Sequence, residues 1–314
     1  MPQVSVIVPA RDAAATIPRT LAALARQDLV EPYEVIVVDD GSQDDTAAEA
    51  ERSPGPIRVL RQGRIGPAAA RNRGAAAAVA PVLAFTDADC FPHAGWLAAG
   101  LRALAGADLV QGEVRAEPHA PRGPFDRSLR VDHETGLYES ANLFVRKEVF
   151  DRVGGFRGWL EPRVGRLALA EDVWFGWQVR RAGFRTAFCA GAVVEHAILS
   201  RGPLEFIVER RRLEHFGDMA AQFPEIRERK FYMKWFLTRR TAFFDAALAG
   251  AVLAGLLRTP LPLALVFPYA RLAVRQSRRW RSQAPAAAAV GIVADAVGFA
   301  ALVRGSLRRR TVVL

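Results

Sequence analysis

The chain has 314 residues, a net charge of +10 and 51% hydrophobic residues. A chain of this length and apolar content can bury one large core with an appendage, or two smaller cores, so disorder is not expected. Its two cysteines give neither a disulfide framework nor the ligand spacing of a zinc site, which fits a reducing compartment.

The positive charge is concentrated towards the end of the chain. Residues 197–314 hold 20 Lys and Arg against 8 Asp and Glu, whereas residues 1–196 hold 23 against 25. These basic residues flank apolar runs, and no helix-turn-helix, zinc-finger or RNA-binding signature is present, so nucleic acid is not an expected partner. The distribution favours a soluble catalytic domain followed by a tail that contacts a membrane.

Strand and helix patterns alternate in the first part of the chain. A β-branched run at 4–8 ends at Pro9, and apolar positions then follow a helical spacing over 14–26. Further strands are predicted at 34–38, 57–60 and 82–86, with helices from about residue 46 and over 67–80. This order predicts an α/β fold with a doubly wound, mostly parallel sheet, whose ligand site lies at the carboxyl ends of its strands.

Acidic residues follow three of these strands. Asp12 follows the first strand, Asp39 and Asp40 end the second, and Asp87 and Asp89 follow the fourth. Carboxylates in one crevice repel each other unless a cation neutralises them, so a divalent metal is expected there. Exposed loop acids are the alternative for a single Asp-x-Asp sequence, but three acidic strand ends favour the metal.

Four motifs resemble a known enzyme family in their order and spacing. They are residues 4–9, the VVDDGSQDDT sequence at 37–46, the GPAAARNRG sequence at 66–74 and the FTDAD sequence at 85–89. Together they resemble the family 2 inverting glycosyltransferases of the GT-A fold, over about residues 3–220. The resemblance implies a Rossmann-like sheet and the transfer of a sugar from a nucleotide diphosphate donor.

The resemblance also implies which residues bind the donor. Pro9 and Arg11 would line the nucleoside pocket, and Asp40, beside Asp39, would accept a hydrogen bond from the base, typically uracil. Arg71 corresponds to an arginine that reaches the base or the phosphates.

A metal site is implied next to the donor. Asp87 would bind the ribose or the metal, and Asp89 would ligate a Mg²⁺ or Mn²⁺ ion that bridges the diphosphate. The reaction needs this cation because the leaving nucleoside diphosphate develops negative charge. His196 stands where many members of the family have a histidine that completes the metal site, and a packed histidine is the alternative.

Asp172 is the candidate general base, in the sequence AEDVW at 170–174. By the resemblance, it would take a proton from the acceptor hydroxyl, which attacks the anomeric carbon opposite the leaving group and inverts its configuration. Glu171 would orient the acceptor or share this role. An acidic pair at a helix start is also common without catalysis, because it interacts favourably with the helix dipole.

Two residues are predicted to face the acceptor. Trp174 departs from the common pattern of the family and is expected to stack on a sugar ring or an isoprenoid, whereas Phe175 beside it is expected to pack in the core. Asn142 lies in a segment, 139–145, that resembles the part of the family facing the acceptor and the transferred sugar. A role in a turn or in backbone capping is the alternative for this asparagine.

Three apolar stretches follow, at 242–257, 261–270 and 284–303. The first is shorter than the roughly 20 residues of a relaxed membrane span, and the third contains Asp295, which is costly at the bilayer centre. Basic blocks on the cytoplasmic side favour a hairpin over 242–270, with the third stretch either returning to the same side or lying in the interface. A soluble helical bundle is the alternative.

The sequence thus predicts a GT-A domain at 1–225 and a helical, membrane-associated region at 226–314. The predicted enzyme is a metal-dependent, inverting glycosyltransferase at the cytoplasmic face of the cell membrane, since no secretory signal is seen. It would move a sugar from a nucleotide-sugar donor, which the resemblance implies is a UDP-sugar, to a lipid-linked or cell-envelope acceptor. The alternatives are a noncatalytic membrane-bound sensor of sugar nucleotides and a nucleotidyltransferase, whose Gly-rich, lysine-containing loop is missing after Val8.

Overall fold

The computed structural model describes residues 1–158 and 170–314, which form two compact units. The first unit contains Met1–Ala120 and Ser128–Ala197, and the second contains Pro121–Arg127 and Ile198–Leu314. The division after Ala197 differs from the predicted boundary after residue 225. The reason is that the helices within 198–225 pack with the C-terminal helices.

Up to β4, the first unit alternates strands and helices in the order that the sequence predicts. Its strands are β1 (Val4–Ala10), β2 (Tyr33–Asp40), β3 (Ile57–Gln62), β4 (Val82–Thr86), β5 (Cys90–Pro92), β6 (Leu109–Ala116), β7 (Asn142–Arg146) and β8 (Thr186–His196). Its helices are α1 (Ile17–Leu24), α2 (Thr46–Arg52), α3 (Pro67–Ala77), α4 (Trp96–Leu104), α5 (Lys147–Val153) and α6 (Glu171–Arg181).

Within the described residues, these strands form one mixed sheet of eight strands, in the order β3-β2-β1-β4-β7-β6-β8-β5. β1 is parallel to β2 and β4, and β2 is parallel to β3. β7 is antiparallel to β4 and β6, whereas β8 is parallel to β6 and antiparallel to β5. The sheet is therefore Rossmann-like on one side of β4 and mixed on the other.

The core lies on both faces of the central strand β1. Val6 and Val8 are fully buried in a cluster with Leu21 of α1. On the opposite face, α3 packs so closely that a Cβ atom on Gly74 would lie 2.5 Å from Cγ2 of Ile7. A strand that is covered on both faces is expected to be apolar throughout, which explains the continuous β-branched run.

The register of the sheet brings the ends of three strands together. Ala10 at the end of β1 pairs with Asp39 near the end of β2, and Ile7 pairs with Phe85 of β4. Because these strands are parallel, their carboxyl ends lie along the same edge of the sheet. The acids that follow them are thereby brought to one side of the unit.

The second unit is helical. Its α-helices are α7 (Pro203–Glu209), α8 (His215–Gln222), α9 (Ile226–Lys230), α10 (Arg239–Leu257), α11 (Val266–Ser277) and α12 (Ala284–Arg309). Short 3₁₀ helices cover Arg210–Glu214, Leu261–Leu265 and Arg278–Gln283. All three predicted apolar stretches are thus helical, as expected.

Two helical stretches, Arg239–Leu257 and Leu261–Arg309, are long and apolar enough to cross a membrane. Only 11% and 22% of their most apolar windows are buried within the protein. A core helix of a soluble protein would be mostly buried, so the exposure favours an apolar surrounding. Length and composition alone suggest membrane association only weakly.

Asp295 on α12 is paired within the second unit. Its carboxylate accepts hydrogen bonds from Nε of Arg240 on α10 at 2.8 Å and from the hydroxyl of Tyr269 on α11 at 2.6 Å. The charge that the sequence analysis treats as costly therefore has a cation and a hydroxyl beside it, and it joins three helices.

Candidate active site

The two acids at the end of β2 organise the loops that follow. Oδ1 of Asp39 accepts a hydrogen bond from the backbone N–H of Ser42 at 3.2 Å. The carboxylate of Asp40 accepts hydrogen bonds from the backbone N–H groups of Ile65 and Gly66, both at 2.9 Å. Asp40 therefore fixes the loop that leads into α3, and base recognition by this buried residue stays a prediction.

Pro9 and Arg11 lie at the carboxyl end of β1. Pro9 pairs with Val38 of β2, and Arg11 follows the strand with its side chain 25% exposed. Nε of Arg11 makes no hydrogen bond among the described residues, and Oδ2 of Asp12 lies 3.4 Å from it as an ion-pair partner. The contact of Pro9 and Arg11 with a nucleoside stays a prediction.

Arg71 joins two acids from different elements. It lies on α3 and is only 5% exposed. One terminal nitrogen donates to Oε1 of Glu171 at 2.9 Å, and the other donates to Oδ1 of Asp87 at 2.7 Å. Burial opposes the charge of Arg71, but the carboxylates of Asp87 and Glu171 outweigh burial and raise the pKa of its guanidinium. Both terminal nitrogens thus bind protein carboxylates, and the predicted contact with base or phosphate stays a prediction.

Asp172 is the second residue of α6, directly after Glu171. The residue keeps some exposed surface, but its carboxyl group is enclosed by the protein. The burial of the carboxyl group raises the pKa of Asp172 well above its ordinary value. The negative charges of Glu171 and Glu139 raise it further, whereas Arg71 acts in the opposite direction. A carboxylate with a raised pKa is a stronger base, which is the property that proton abstraction requires.

Asp89 and His196 approach each other at the end of β8. Nε2 of His196 lies 3.6 Å from Oδ2 of Asp89, and Nδ1 lies 2.7 Å from the carbonyl oxygen of Ala197. Because that carbonyl accepts the proton of Nδ1, a neutral imidazole presents the lone pair of Nε2 to Asp89. Oxygen and nitrogen ligands lie about 2.1 Å from a bound metal ion, so atoms at this spacing fit one divalent cation.

Cys90 places its sulfur within 4.8 Å of the ligand atoms of Asp89 and His196, and the sequence analysis did not predict this. Burial, followed by the charges of Asp87 and Asp89, raises the pKa of the Cys90 thiol well above its ordinary value. The thiol is therefore held in its neutral form by its protein surroundings alone. Within the described part of the chain, Asp87 is not in this cluster, because its Oδ1 binds Arg71.

Asn142 is not at the surface of the site. It is 0% exposed, its Oδ1 accepts a hydrogen bond from Nε1 of Trp96 at 2.8 Å, and its Nδ2 donates to the carbonyl oxygens of Glu113 and Ala192, both at 2.8 Å. This burial contradicts the expectation that Asn142 faces the acceptor. The amide instead satisfies backbone groups of β6 and β8, which is a structural role.

The two aromatic residues Trp174 and Phe175 of α6 lie in different surroundings. Phe175 is fully buried, with its ring centroid 4.8 Å from Phe156 and 5.2 Å from Phe150, as core packing requires. Trp174 is partly exposed, and the guanidinium of Arg157 lies 5.3 Å from the centroid of its ring. Trp174 thus lies two residues after Asp172 on α6 with some surface exposed, and its contact with an acceptor stays a prediction.

Asn72 and Glu139 belong to the site but were not singled out from the sequence. Nδ2 of Asn72 donates to the carbonyl oxygen of Phe156 at 2.7 Å, and Oδ1 accepts from the N–H of Phe156 at 2.9 Å. Asn72 stands next to Arg71 in the ARN sequence of the third motif, which was the available signal. The effect of Glu139 on Asp172 had no local signal, since the two residues are far apart in sequence.

Residues 5–161 match the sequence profile of the family described as Glycosyl transferase family 2. The chain belongs to this family. Glycosyltransferase AglE of Haloferax volcanii is 36% identical over 222 residues, which cover 65% of this chain and 70% of AglE. The pre-mycofactocin glycosyltransferase of Mycobacterium tuberculosis is 32% identical over 213 residues, which cover 62% of this chain and 42% of that protein.

A solved structure confirms the fold. The mannosyltransferase PcManGT from Pyrobaculum calidifontis, determined in complex with GDP-Man and Mn²⁺, aligns with 98% of this chain and 88% of its own. The TM-score is 0.57 at 20% sequence identity. The predicted GT-A fold with a helical C-terminal region is therefore confirmed. Family membership also identifies this family 2 protein as a glycosyltransferase and not a nucleotidyltransferase.

Proposed function

We propose that this family 2 glycosyltransferase transfers a sugar from a nucleotide diphosphate to an acceptor hydroxyl, with inversion and with the help of a divalent cation. The observation that carries the proposal is the approach of Nε2 of His196 to Oδ2 of Asp89, at 3.6 Å, while Nδ1 of His196 is held by the carbonyl oxygen of Ala197. A carboxylate and an oriented imidazole form the start of a metal site, and they follow strands of a nucleotide-binding type of sheet.

Asp89 and His196 would hold Mg²⁺ or Mn²⁺, and Asp87 stands close to Asp89 in sequence. When bound, the cation supplies positive charge to the leaving diphosphate. Asp172 acts as the general base that accepts the proton of the acceptor hydroxyl, since its enclosed carboxyl has a raised pKa. Glu171 is held by Arg71 and orients the first turn of α6.

The donor site comprises Pro9, Arg11, Asp39, Asp40 and Asp87. We expect a UDP-sugar as donor, from the family resemblance. PcManGT was solved with GDP-Man and Mn²⁺, which supports a metal-bound nucleotide sugar and makes a GDP-sugar the second donor to test. Carboxylates accept hydrogen bonds from more than one nucleobase, so Asp40 permits both.

The acceptor is a lipid-linked or cell-envelope molecule, and the enzyme works at the cytoplasmic face of the cell membrane. Two observations support this part of the proposal. The apolar helical stretches from Arg239 to Arg309 are mostly exposed. The second part of the chain also carries the positive charge that anionic membrane surfaces attract.

Nucleotide release from UDP- and GDP-sugars by the purified full chain tests the proposal, with Mn²⁺ or with EDTA. We expect release that needs Mn²⁺ and that falls by about 100-fold or more in Asp89→Ala, because a metal ligand is lost. Asp151→Ala is the matched control, since Asp151 is an exposed acid on α5. Release by the native enzyme that is as fast in EDTA as in Mn²⁺, or release by Asp89→Ala that equals that of the native enzyme, would contradict the metal site. No binding of any sugar nucleotide would contradict the donor site.

A further inference from the structure

Arg71 is bonded to two acids that have different roles in the proposed reaction. Asp87 follows β4 on the donor side, whereas Glu171 begins the helix that carries the proposed base Asp172. The two hydrogen bonds measure 2.7 and 2.9 Å, and the side chains of Arg71 and Glu171 are only 6% and 11% exposed. A buried guanidinium with two carboxylate partners is strongly constrained in position.

The surroundings of Arg71 constrain it further. The ring of Phe156 lies 5.7 Å from its guanidinium carbon, and the neighbouring Asn72 binds both backbone groups of Phe156. Phe156 in turn packs on Phe175 of α6, with 4.8 Å between the ring centroids. Two adjacent residues of α3 thus hold α6 by an ion pair and by an aromatic contact.

We propose that Arg71 is a positioning residue for the base step: it holds Glu171, and with it the first turn of α6 and Asp172, in a fixed place relative to Asp87. This inference rests on the proposed function, because it assigns Asp172 the role of base. Arg71 acts through the two carboxylates, and binding of the donor does not depend on a direct contact with its guanidinium.

Arginine is required for this role by its shape. Its planar guanidinium presents two terminal nitrogens in a fixed fork, so it can bind two carboxylates on separate elements at once. A lysine keeps the charge but has a single nitrogen, and it cannot hold both acids in the same geometry. The loss of Arg71 should therefore reduce turnover even when a positive charge is retained.

Steady-state kinetics of Arg71→Lys and Arg71→Met test the proposal, with Arg73→Met as the matched control. Arg73 is an exposed arginine two residues further along the same helix. We expect kcat to fall by about 30-fold or more in both Arg71 variants, within the range of a disturbed general base. We expect KM for the donor to change by less than about threefold, and Arg73→Met to resemble the native enzyme.

The pH profile supplies a readout that a general loss of structure would not produce. Arg71 is the cation that favours the ionised form of Asp172, against the charges of Glu171 and Glu139. The acid limb of the kcat profile should therefore move to higher pH in Arg71→Met. An unchanged acid limb, together with a donor KM raised about tenfold or more, would overturn the proposal and make Arg71 a donor ligand.

A double-mutant cycle between Arg71→Met and Glu171→Gln tests the link without relying on turnover. Removing Arg71 alone leaves Asp87 and Glu171 without their cation. We therefore expect the melting temperature of Arg71→Met to lie about 6 °C or more below that of the native protein. The melting temperature of the double variant should fall by less than the sum of the decreases in the two single variants, because the residues act as a pair. Additive shifts would contradict the link.

The two measurements separate this inference from the proposed function. If the native enzyme releases no nucleotide from any donor, the proposed function fails, while the thermal cycle still reports on the Arg71–Glu171 link. If the native enzyme is active and the cycle is additive, the role of Arg71 fails alone. Should Arg71→Met not fold, Arg71→Lys and Glu171→Gln carry the test.

Discussion

Asp172 illustrates how a single carboxyl group is prepared for proton abstraction. Its enclosure and the nearby acids Glu171 and Glu139 disfavour the charged form, and Arg71 only partly compensates. The pKa of Asp172 in the folded protein is therefore above the value of about 3.9 in an unfolded chain. The ionised form is thus costly for folding and useful for catalysis.

Asp172→Asn should abolish transfer without weakening the fold. Because the folded pKa is raised, ionisation of Asp172 lowers stability as the pH rises through that pKa, and the amide avoids this loss. We expect nucleotide release to fall by about 100-fold or more. The melting temperature at pH 8 should equal or exceed that of the native protein. A lower melting temperature at pH 8 with activity retained would contradict both the base and its raised pKa.

Much of the site at the residue scale could be predicted from motif order. Asp89 and His196 were both predicted as metal ligands, and the structure brings them together. The surroundings of Asn142 could not be predicted correctly, because its side chain binds carbonyl groups of two neighbouring strands. The sequence shows that an asparagine is present but not which groups surround it.

At the scale of elements, α3 connects the sheet to the site. Gly74 lies against Ile7 of β1, and Arg71 lies one turn earlier on the same helix. The close approach of α3 to the sheet requires a residue without a side chain at Gly74. The position of Arg71 is therefore set by the packing of the helix on the central strand.

Gly74→Ala tests this packing. The added Cβ would lie 2.5 Å from Cγ2 of Ile7, a β-branched side chain that is stiff and fully buried, so the helix must shift. We expect a loss of stability of about 1–3 kcal/mol in urea unfolding, as for other overpacked cores. Gly63→Ala is the control, because a Cβ there meets nothing within 4 Å. Equal unfolding midpoints for the two variants would contradict the close packing.

The parallel part of the sheet was predicted well from the sequence. The strand predicted at 82–86 is Val82–Thr86, and the strand predicted at 57–60 is extended to Gln62. Each of the first three strands is followed by a local helix pattern, and this alternation is typical of a parallel sheet. The pairing of β7 with β4 and β6 could not be predicted in this way, because these strands are distant in sequence. No local period in the sequence encodes antiparallel pairing across such gaps.

At the scale of the whole molecule, the chain combines a GT-A unit with a helical unit that exposes large apolar side chains. Leu256 and Leu257, at the end of α10, are 74% and 63% exposed. Exposed apolar residues that cluster on one element indicate a surface that meets a membrane or a partner. The basic residues of the second unit favour an anionic lipid surface.

The double variant Leu256→Asp/Leu257→Asp should lose membrane binding and keep its fold, because both side chains are exposed. We expect the native chain to float with vesicles of phosphatidylglycerol and phosphatidylcholine, also at high salt, since apolar insertion is not screened. Leu204→Asp is the matched control, because Leu204 is 72% exposed on α7. Equal flotation of both variants, or none for the native chain, would contradict membrane attachment through α10.

The sequence by itself determined the family, the positions of the parallel strands in the first part of the chain, and the acid and histidine of the proposed metal site. These features are encoded in short, ordered motifs, and their chemistry follows from residue type. Only the tertiary structure decided that Asn142 is buried, that Arg71 joins Asp87 to Glu171, and that the units divide after Ala197. Each of these depends on groups that lie far apart in the chain, and only packing brings them within hydrogen-bond distance.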